Sequence, residues 1–268
     1  MLDTAAAEGL GLSAVTRGSL LVLDGDEGRH AATVRRTRPG ERVDVTDGAG
    51  ALARCVATEV APARVVLEVI SAEWHPPSRP ELILVQALAK GGRDELAIET
   101  ATELGVDRVV PWQAARSVVV WSGERGRRAH GKWGTTVRTA VKQSRRARVP
   151  EVGAAITSAG LVGWVGARVS GGGLVLVLHE EAAEALTGLL PGLFPGPRGD
   201  PEEPEPARPA SLPSVTVIVG PEGGITSEEV AALEAAGAHS VRLGPHVLRS
   251  STAGPAALAA LSVMLGRW

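Results

Sequence analysis

The sequence predicts an α/β protein in two parts, a small N-terminal β-barrel followed by a mainly parallel sheet that helices cover on both faces. In residues 1–76, short alternating or β-branched runs are separated by turn signals, which is typical of successive strands. After the proline-rich stretch at residues 74–80, apolar strand runs alternate with helical runs, as in a parallel sheet. That stretch is too stiff for a helix, so we predict one domain over residues 1–76 and a second over residues 77–268.

Each element has a local signal. In the first part we predict strands at residues 19–23, 42–46, 51–56 and 64–70, with a helical turn at 30–37. In the second part we predict strands at 81–88, 108–112, 174–178, 214–219 and 240–243, and helices at 94–104, 132–146, 180–190, 227–236 and 253–265. Gly105 is a suitable C-cap for the first of these helices, and Thr226 with Glu229 forms a capping box for the fourth.

Composition limits the class of protein. A chain of 268 residues with 44% apolar and 22% charged residues is expected to be globular. No apolar stretch approaches the roughly 20 residues that span a bilayer, and the N-terminus lacks the features of a signal peptide. The single cysteine, Cys55, excludes an intramolecular disulfide and a cysteine-based metal cluster. We therefore expect a cytoplasmic protein without membrane segment or metal, in which the Pro- and Glu-rich residues 191–213 form a flexible insertion.

Positive charge is concentrated in two segments, although the net charge is only −2. Residues 122–148 contain nine basic residues and a single acid, Glu124. A shorter cluster, from Arg29 to Arg42, contains five arginines and a single acid, Glu41. Both suit a polyanion, and the alternative for each is a solvated face. For the longer segment we favour nucleic acid.

The most informative segment is Gly-Pro-Glu-Gly-Gly at residues 220–224, between a predicted strand and a predicted helix. Its three glycines leave the backbone open to close approach, and the turn leads to the free N–H groups of a helix start. The glycine spacing is not that of a dinucleotide-binding motif or a P-loop, so neither ligand is expected. By itself, the segment is also compatible with a tight turn whose glycines serve packing.

A second unusual segment, residues 243–253, follows about twenty positions later. Its Gly-Pro pair ends the preceding strand, Ser251 or Thr252 is predicted to cap the last helix, and Pro255 is expected in the first turn. Arg249 lies between the strand and the helix, where it is well placed to meet an anion. The alternative is an ordinary surface arginine. Taken together, the two segments predict a cofactor pocket.

In combination these segments resemble the ribosomal RNA small subunit methyltransferase E family, whose members methylate N3 of a uridine in 16S ribosomal RNA and belong to the SPOUT superfamily. The resemblance rests on the glycine turn and on Leu-Gly-Pro-x-Val-Leu-Arg-x-x-Thr-Ala at residues 243–253. It extends over nearly the whole chain through further matching positions, which are residues 30–36, 90, 99–105, 111–117, 132–133, 143–151 and 179–180.

The resemblance implies a PUA-like barrel that helps to bind RNA, and a SPOUT α/β domain with a deep trefoil knot. It implies S-adenosylmethionine as the cofactor, 16S rRNA in the assembled small subunit as the substrate, and a homodimer. The residues implied in cofactor binding are Val219, Gly220, Pro221, Gly223, Gly224, Leu243, Gly244, Pro245, Val247, Leu248 and Thr252.

The expected chemistry begins with the proton on uridine N3, which must leave before N3 can attack a sulfonium methyl group. We expect Arg249 to stabilise the resulting anion, and either Glu222 or water to accept the proton. We expect the rRNA phosphates to be bound by a set of arginines, namely Arg35, Arg36, Arg138, Arg145, Arg146 and Arg148.

Three residues depart from the family pattern: Lys142 and Ser251 replace acids, and His246 replaces an arginine. A mechanism that needs a carboxylate at position 251 therefore does not suit this chain. Two alternatives stay open, a SPOUT enzyme that acts on another RNA base or on tRNA, and a non-catalytic RNA-binding protein.

Overall fold

The computed structural model describes residues 2–3, 11–193 and 212–268, and the chain forms two compact units. The first contains Met1–Pro77 together with Arg138–Val149, and the second contains Ser78–Val137 together with Pro150–Trp268. The units therefore differ from the predicted division in one segment, because residues 138–149 group with the N-terminal part of the chain.

A five-stranded sheet forms the first unit. Its elements are β1 (Leu2–Asp3), a 3-10 helix (Leu12–Ala14), β2 (Leu20–Leu23), α1 (Gly25–Arg29), a π-helical turn (His30–Val34), β3 (Arg42–Thr46), β4 (Ala51–Ala61) and β5 (Arg64–Trp74). The strand order is β1-β3-β4-β5-β2, in which only β1 and β3 are parallel. The four predicted strands and the helical turn are confirmed, and closure of the sheet into a barrel remains a prediction.

The core of this unit is apolar and contains the only cysteine of the chain. Val45, Leu67 and Val69 are fully buried, and Cys55 is 2% exposed. Burial, with a smaller contribution from the charge of Asp44, raises the pKa of the Cys55 thiol to about 12. Cys55 is therefore a neutral packing residue.

Residues 138–149 are held in the first unit by specific contacts. The Thr46 hydroxyl donates to the Ala147 carbonyl at 2.7 Å, and Lys142 forms an ion pair with Glu27. Arg148 donates from Nε to the His75 carbonyl at 2.8 Å. These bonds satisfy polar groups of the segment and make it an integral part of the first unit.

The second unit is an α/β domain, as predicted. Its elements, one of which (α3) ends in the first unit, are β6 (Glu81–Ala87), α2 (Arg93–Glu103), β7 (Arg108–Gln113), α3 (Gly123–Ser144), β8 (Glu151–Val152), β9 (Ile156–Thr157), α4 (Ser158–Ser170), β10 (Leu174–Leu178), α5 (Leu186–Leu193), β11 (Ser214–Val219), α6 (Ser227–Ala235), β12 (His239–Val241) and α7 (Ser250–Met264).

All strand pairs of the seven-stranded sheet are parallel, in the order β12-β10-β11-β6-β7-β8, with β9 also paired to β7. Helices α4 and α6 cover one face, where Leu161 and Leu233 pack with Val85. Helix α7 lies on the other face, where Gly254 approaches Leu84 so closely that a Cβ would meet the leucine at 2.8 Å. Because helices lie on both faces, the six residues of β11 are all buried.

Three predicted helices begin elsewhere. The predicted helix at 132–146 starts nine residues earlier, at Gly123. The predicted helix at 180–190 starts only at Leu186, because the preceding backbone instead bonds to the last residue of β12 and the residue after it. His179 N–H donates to the Val241 carbonyl, and Arg242 N–H donates to the Glu184 carbonyl. The last helix starts at Ser250, three residues before the predicted start.

Helix α4 was not predicted, and three glycines within it explain the weak signal. The predicted insertion at 191–213 falls almost entirely outside the described residues. In the described ranges, no helix has both the length and the apolar character needed to cross a membrane.

Candidate active site

Two adjoining pockets lie at the carboxyl ends of β10, β11 and β12. The larger has a volume of about 240 Å³ and is lined by the glycine turn and by residues 247–250. The smaller has a volume of about 90 Å³ and is lined by residues 242–248. The two segments singled out in the sequence therefore meet at one place.

A shared wall between the pockets comes from the strand that lies between the two loops. Strand β10 pairs with β11 on one side and β12 on the other, so its carboxyl end lies between the loops that follow those strands. Leu178 and Glu180 consequently line both pockets, together with Val247, Leu248 and Ala253. Ligand sites of open parallel sheets occur at this edge.

Most residues predicted to bind the cofactor line these pockets. The lining members of the predicted set are Val219, Gly220, Pro221, Gly224, Leu243, Gly244, Pro245, Val247 and Leu248. Gly223 and Thr252 do not line either pocket. Gly223 instead contacts Arg116, and Thr252 is exposed in the first turn of α7.

Arg249 lies at the rim of the larger pocket, directly before α7, and is exposed. Its carbonyl accepts the N–H groups of Thr252 and Ala253, so Arg249 is the N-cap residue. The prediction that Ser251 or Thr252 caps this helix is wrong, since both lie inside it, and Pro255 lies beyond its first turn. Ser250 also lines the larger pocket, and its side-chain oxygen is buried and has no hydrogen-bond partner among the described residues.

Glu222 is an anchor of the glycine turn. Its Oε1 accepts the backbone N–H of Lys90 at 3.2 Å and Nη1 of Arg93 at 3.0 Å. The carboxylate is only 22% exposed, and the bond to a guanidinium is charge-assisted. One oxygen of the predicted proton acceptor is therefore already engaged in fixing the turn to the start of α2.

Sequence reasoning missed Arg93, Leu178 and Ser250 as pocket residues. Arg93 follows two glycines with φ values of 67° and 73°, a turn that directs α2 toward the pocket. The Lys-Gly-Gly-Arg sequence after a strand was an available signal for this turn. Leu178 was not accessible from sequence, because strand order decides which loops it separates.

The predicted RNA-binding arginines all belong to the first unit, but they differ in availability. Arg35, Arg36, Arg138 and Arg145 are exposed. Arg148 is partly buried and its guanidinium lies 5.0 Å from the ring centre of Trp74. Because its Nε is also bonded to the His75 carbonyl, Arg148 has a packing function in this unit. In the described part of the chain, no cluster of His, Cys, Asp and Glu could hold a metal ion.

Comparisons with known proteins agree with this organisation. An RNA methyltransferase domain matches residues 76–262, and an RNA methyltransferase PUA domain matches residues 23–70. The chain is therefore an RNA methyltransferase by class. It is 46% identical over 251 residues to ribosomal RNA small subunit methyltransferase E of Mycobacterium bovis, with 94% of this chain and 89% of that protein covered. The chain belongs to the ribosomal RNA small subunit methyltransferase E family.

Two solved structures are similar over almost their full length. The ribosomal RNA small subunit methyltransferase E of Neisseria gonorrhoeae, bound to S-adenosyl methionine, gives a TM-score of 0.74 at 26% identity, with 98% of both chains covered. A structure from Legionella pneumophila in complex with the bound cofactor SAM gives a TM-score of 0.76 at 25% identity, with 98% of this chain and 96% of that chain covered.

Proposed function

We propose that this protein transfers a methyl group from S-adenosylmethionine to N3 of a specific uridine in 16S rRNA of the small ribosomal subunit. The observation that carries the proposal is the meeting of the 220–225 and 242–249 loops around two adjoining pockets, with Arg249 at the rim. Family membership supports the same activity, and the proposed fold includes the deep trefoil knot and PUA-like barrel of the family.

The pocket residues suit S-adenosylmethionine. Apolar side chains from Leu178, Val247 and Leu248 can cover the adenine, while bare backbone in the two loops offers hydrogen bonds to its polar edges. The Ser250 hydroxyl is buried beside the larger pocket and lacks a partner among the described residues. Glu180 lies in the shared wall and suits a positively charged group. When bound, the cofactor supplies an electrophilic methyl group.

Arg249 stabilises the uridine anion in this proposal. Deprotonation of N3 leaves negative charge on N3 and the two neighbouring carbonyl oxygens, and a fixed guanidinium favours that charged form. The position directly before α7 restrains the backbone of Arg249, while its exposed side chain can reach a nucleotide that enters from solvent. Alignment of the methyl group with N3 contributes further to the rate.

The N3 proton is assigned to water, with Glu222 as the alternative acceptor. Glu222 already accepts two hydrogen bonds at Oε1, one of them from the positively charged Arg93. Protonation of this carboxylate would weaken the Arg93 ion pair and release the turn. We therefore assign Glu222 to loop anchoring.

RNA binding is proposed for the exposed arginines of the first unit. N3 lies on the Watson–Crick edge, so the target uridine must be unpaired and turned outward. The proposal further includes a homodimer, the assembled small subunit as substrate and a cytoplasmic location, all from family membership.

The decisive experiment is mass spectrometry of methylated nucleosides in 16S rRNA from a strain that lacks the gene. Complementation with the wild-type gene is expected to restore 3-methyluridine at one position, and complementation with an Arg249→Ala gene is not. Appearance of another methylated base, or of methylation in tRNA, would contradict the proposed substrate. If rRNA from the deletion strain keeps every modification of the wild type, and titration of the protein with S-adenosylmethionine gives no heat, the protein is a non-catalytic RNA-binding protein.

A further inference from the structure

Glu229 forms a hydrogen-bond network that is larger than a helix cap. It is the third residue of α6, and its Oε2 accepts the backbone N–H of Thr226 at 3.0 Å while Thr226 Oγ1 accepts the Glu229 N–H at 3.2 Å. The capping box itself uses only one of the two carboxylate oxygens. Here the residue is only 8% exposed, so the other oxygen must find its partners within the protein.

The second oxygen, Oε1, connects α6 to two other segments. It accepts the backbone N–H of Ala115 at 2.8 Å and the hydroxyl of Ser158, the first residue of α4. The Ser158 oxygen in turn accepts Nε1 of buried Trp112 at 3.2 Å. One carboxylate thus fixes the start of α6, the segment that follows β7 and the start of α4.

Arg116, which follows Ala115 in the chain, extends this network to the glycine turn. Arg116 donates from Nη1 to the Gly223 carbonyl at 3.0 Å. A Cβ on Gly223 would lie 3.1 Å from the Arg116 Cβ, so the two backbones are in close contact. The Ala115 bond to Glu229 therefore fixes the residue that packs against the turn.

We propose that Glu229 is a positioning residue for the cofactor loop, acting through Ala115 and Arg116 on the carbonyl of Gly223. Thr226 follows the turn and bonds directly to Glu229. Arg116 bonds to the turn itself and is positioned by the Ala115 bond to Glu229, so both restraints depend on one buried carboxylate. Restraint of this kind matters because a loop displaced by about 1 Å loses much of its binding contribution. The inference rests on the proposed binding of S-adenosylmethionine at this turn.

The test measures S-adenosylmethionine affinity by calorimetry on the full chain for Glu229→Gln, Arg116→Ala and the double variant. Glutamine keeps the size of the side chain but weakens the bonds at Oε1. Its amide has only one accepting oxygen, so it cannot replace both oxygens of the carboxylate. We expect each single change to raise the dissociation constant about tenfold. The double variant should raise it only about 20-fold, because the effects of substitutions at coupled residues are not additive. Ser158→Ala, which removes one donor, is expected to raise it about threefold and serves if Glu229→Gln does not fold.

Two control variants separate positioning from general stability. Glu234→Gln changes an exposed acid farther along the same helix, and Arg267→Ala removes bonds at the far end of α7. Both are expected to leave the dissociation constant within about twofold, although Arg267→Ala lowers the melting temperature. A roughly 100-fold effect of the double variant, or folded Glu229→Gln and Ser158→Ala proteins with wild-type affinity, would overturn the inference alone. A wild-type protein that binds no S-adenosylmethionine would overturn the proposed function with it.

Discussion

Arg249 is the residue on which the proposed chemistry depends most directly. Removing its guanidinium leaves the pocket walls in place, so we expect Arg249→Ala to bind S-adenosylmethionine within about threefold of wild type. Turnover on the small subunit should fall about 100- to 1,000-fold, as for loss of one oxyanion donor. Calorimetry and single-turnover methylation measure the two quantities. A turnover within about threefold of wild type, a loss below ~1 kcal/mol, would contradict the role.

Glu222 is expected to show the opposite pattern. Gln at this position keeps an acceptor for Lys90 N–H but loses the charge that pairs with Arg93. We expect Glu222→Gln to weaken S-adenosylmethionine binding about tenfold, or ~1.4 kcal/mol, with turnover at saturating cofactor within about threefold. A large loss of turnover with unchanged affinity would instead identify Glu222 as the proton acceptor. Arg93→Ala is the matched variant and should weaken binding to a similar extent.

Arg267, which follows α7, connects the carboxyl end of that helix to the edge of the parallel sheet that lies opposite the pockets. Its guanidinium donates to the carbonyls of Gly105 and Pro80 at 2.9 and 3.0 Å and pairs with Asp107 at 2.6 Å. The arginine and aspartate side chains are only 12% and 18% exposed. These bonds join the segment after α7 to the amino ends of β6 and β7.

We expect Arg267→Ala to lower the free energy of unfolding by about 3 kcal/mol, since it leaves a mostly buried aspartate without its cation. Urea denaturation followed by tryptophan fluorescence measures this, because five of the six tryptophans lie in the second unit. Arg127→Ala is the control, since the Arg127–Glu124 pair is 73% and 59% exposed and should contribute at most about 1 kcal/mol. Equal losses for the two variants would contradict the importance of the buried pair.

Much of the element pattern was predictable because parallel strands leave a strong local signal. The continuous apolar runs of β10 and β11 are buried on both faces, so sequence alone located them. The region around residue 180 was not predictable in this way, since its backbone bonds to Val241 and Arg242, some sixty residues away. Pairing at that distance overrides local helix propensity.

The candidate site was predictable to the extent that it consists of loops. The glycine turn and the 243–249 loop carry unusual residues, and each follows a recognisable strand. The shared wall at Leu178 depends on the position of β10 between β11 and β12. The Glu229 bond to Ala115 joins residues 114 positions apart. Both features depend on tertiary structure, and no local pattern encodes them.

Across the whole molecule, charge is distributed unevenly, and this has a measurable consequence for RNA binding. Four exposed arginines of the first unit, Arg35, Arg36, Arg138 and Arg145, are candidates for phosphate contacts. Each contact releases counterions, so the logarithm of RNA affinity should fall linearly with the logarithm of salt concentration.

We expect Arg35→Ala and Arg138→Ala each to reduce the magnitude of this salt slope by about 0.7–0.9 in filter-binding measurements on 16S rRNA fragments. Arg54→Ala is the control, because Arg54 already pairs with Glu73 at 3.2 Å on neighbouring strands and should leave the slope unchanged. A wild-type affinity that does not respond to salt would refute RNA binding by this surface.

The grouping of residues 138–149 with the N-terminal part of the chain has a consequence for biosynthesis and for protein engineering. When the ribosome has released only the first 77 residues, the N-terminal sheet still lacks the partners of Thr46, Glu27 and His75, which are encoded sixty or more codons later. A gene fragment cut at the proline stretch would encode an incomplete body, and a fusion that transplants it would have to carry the later segment as well.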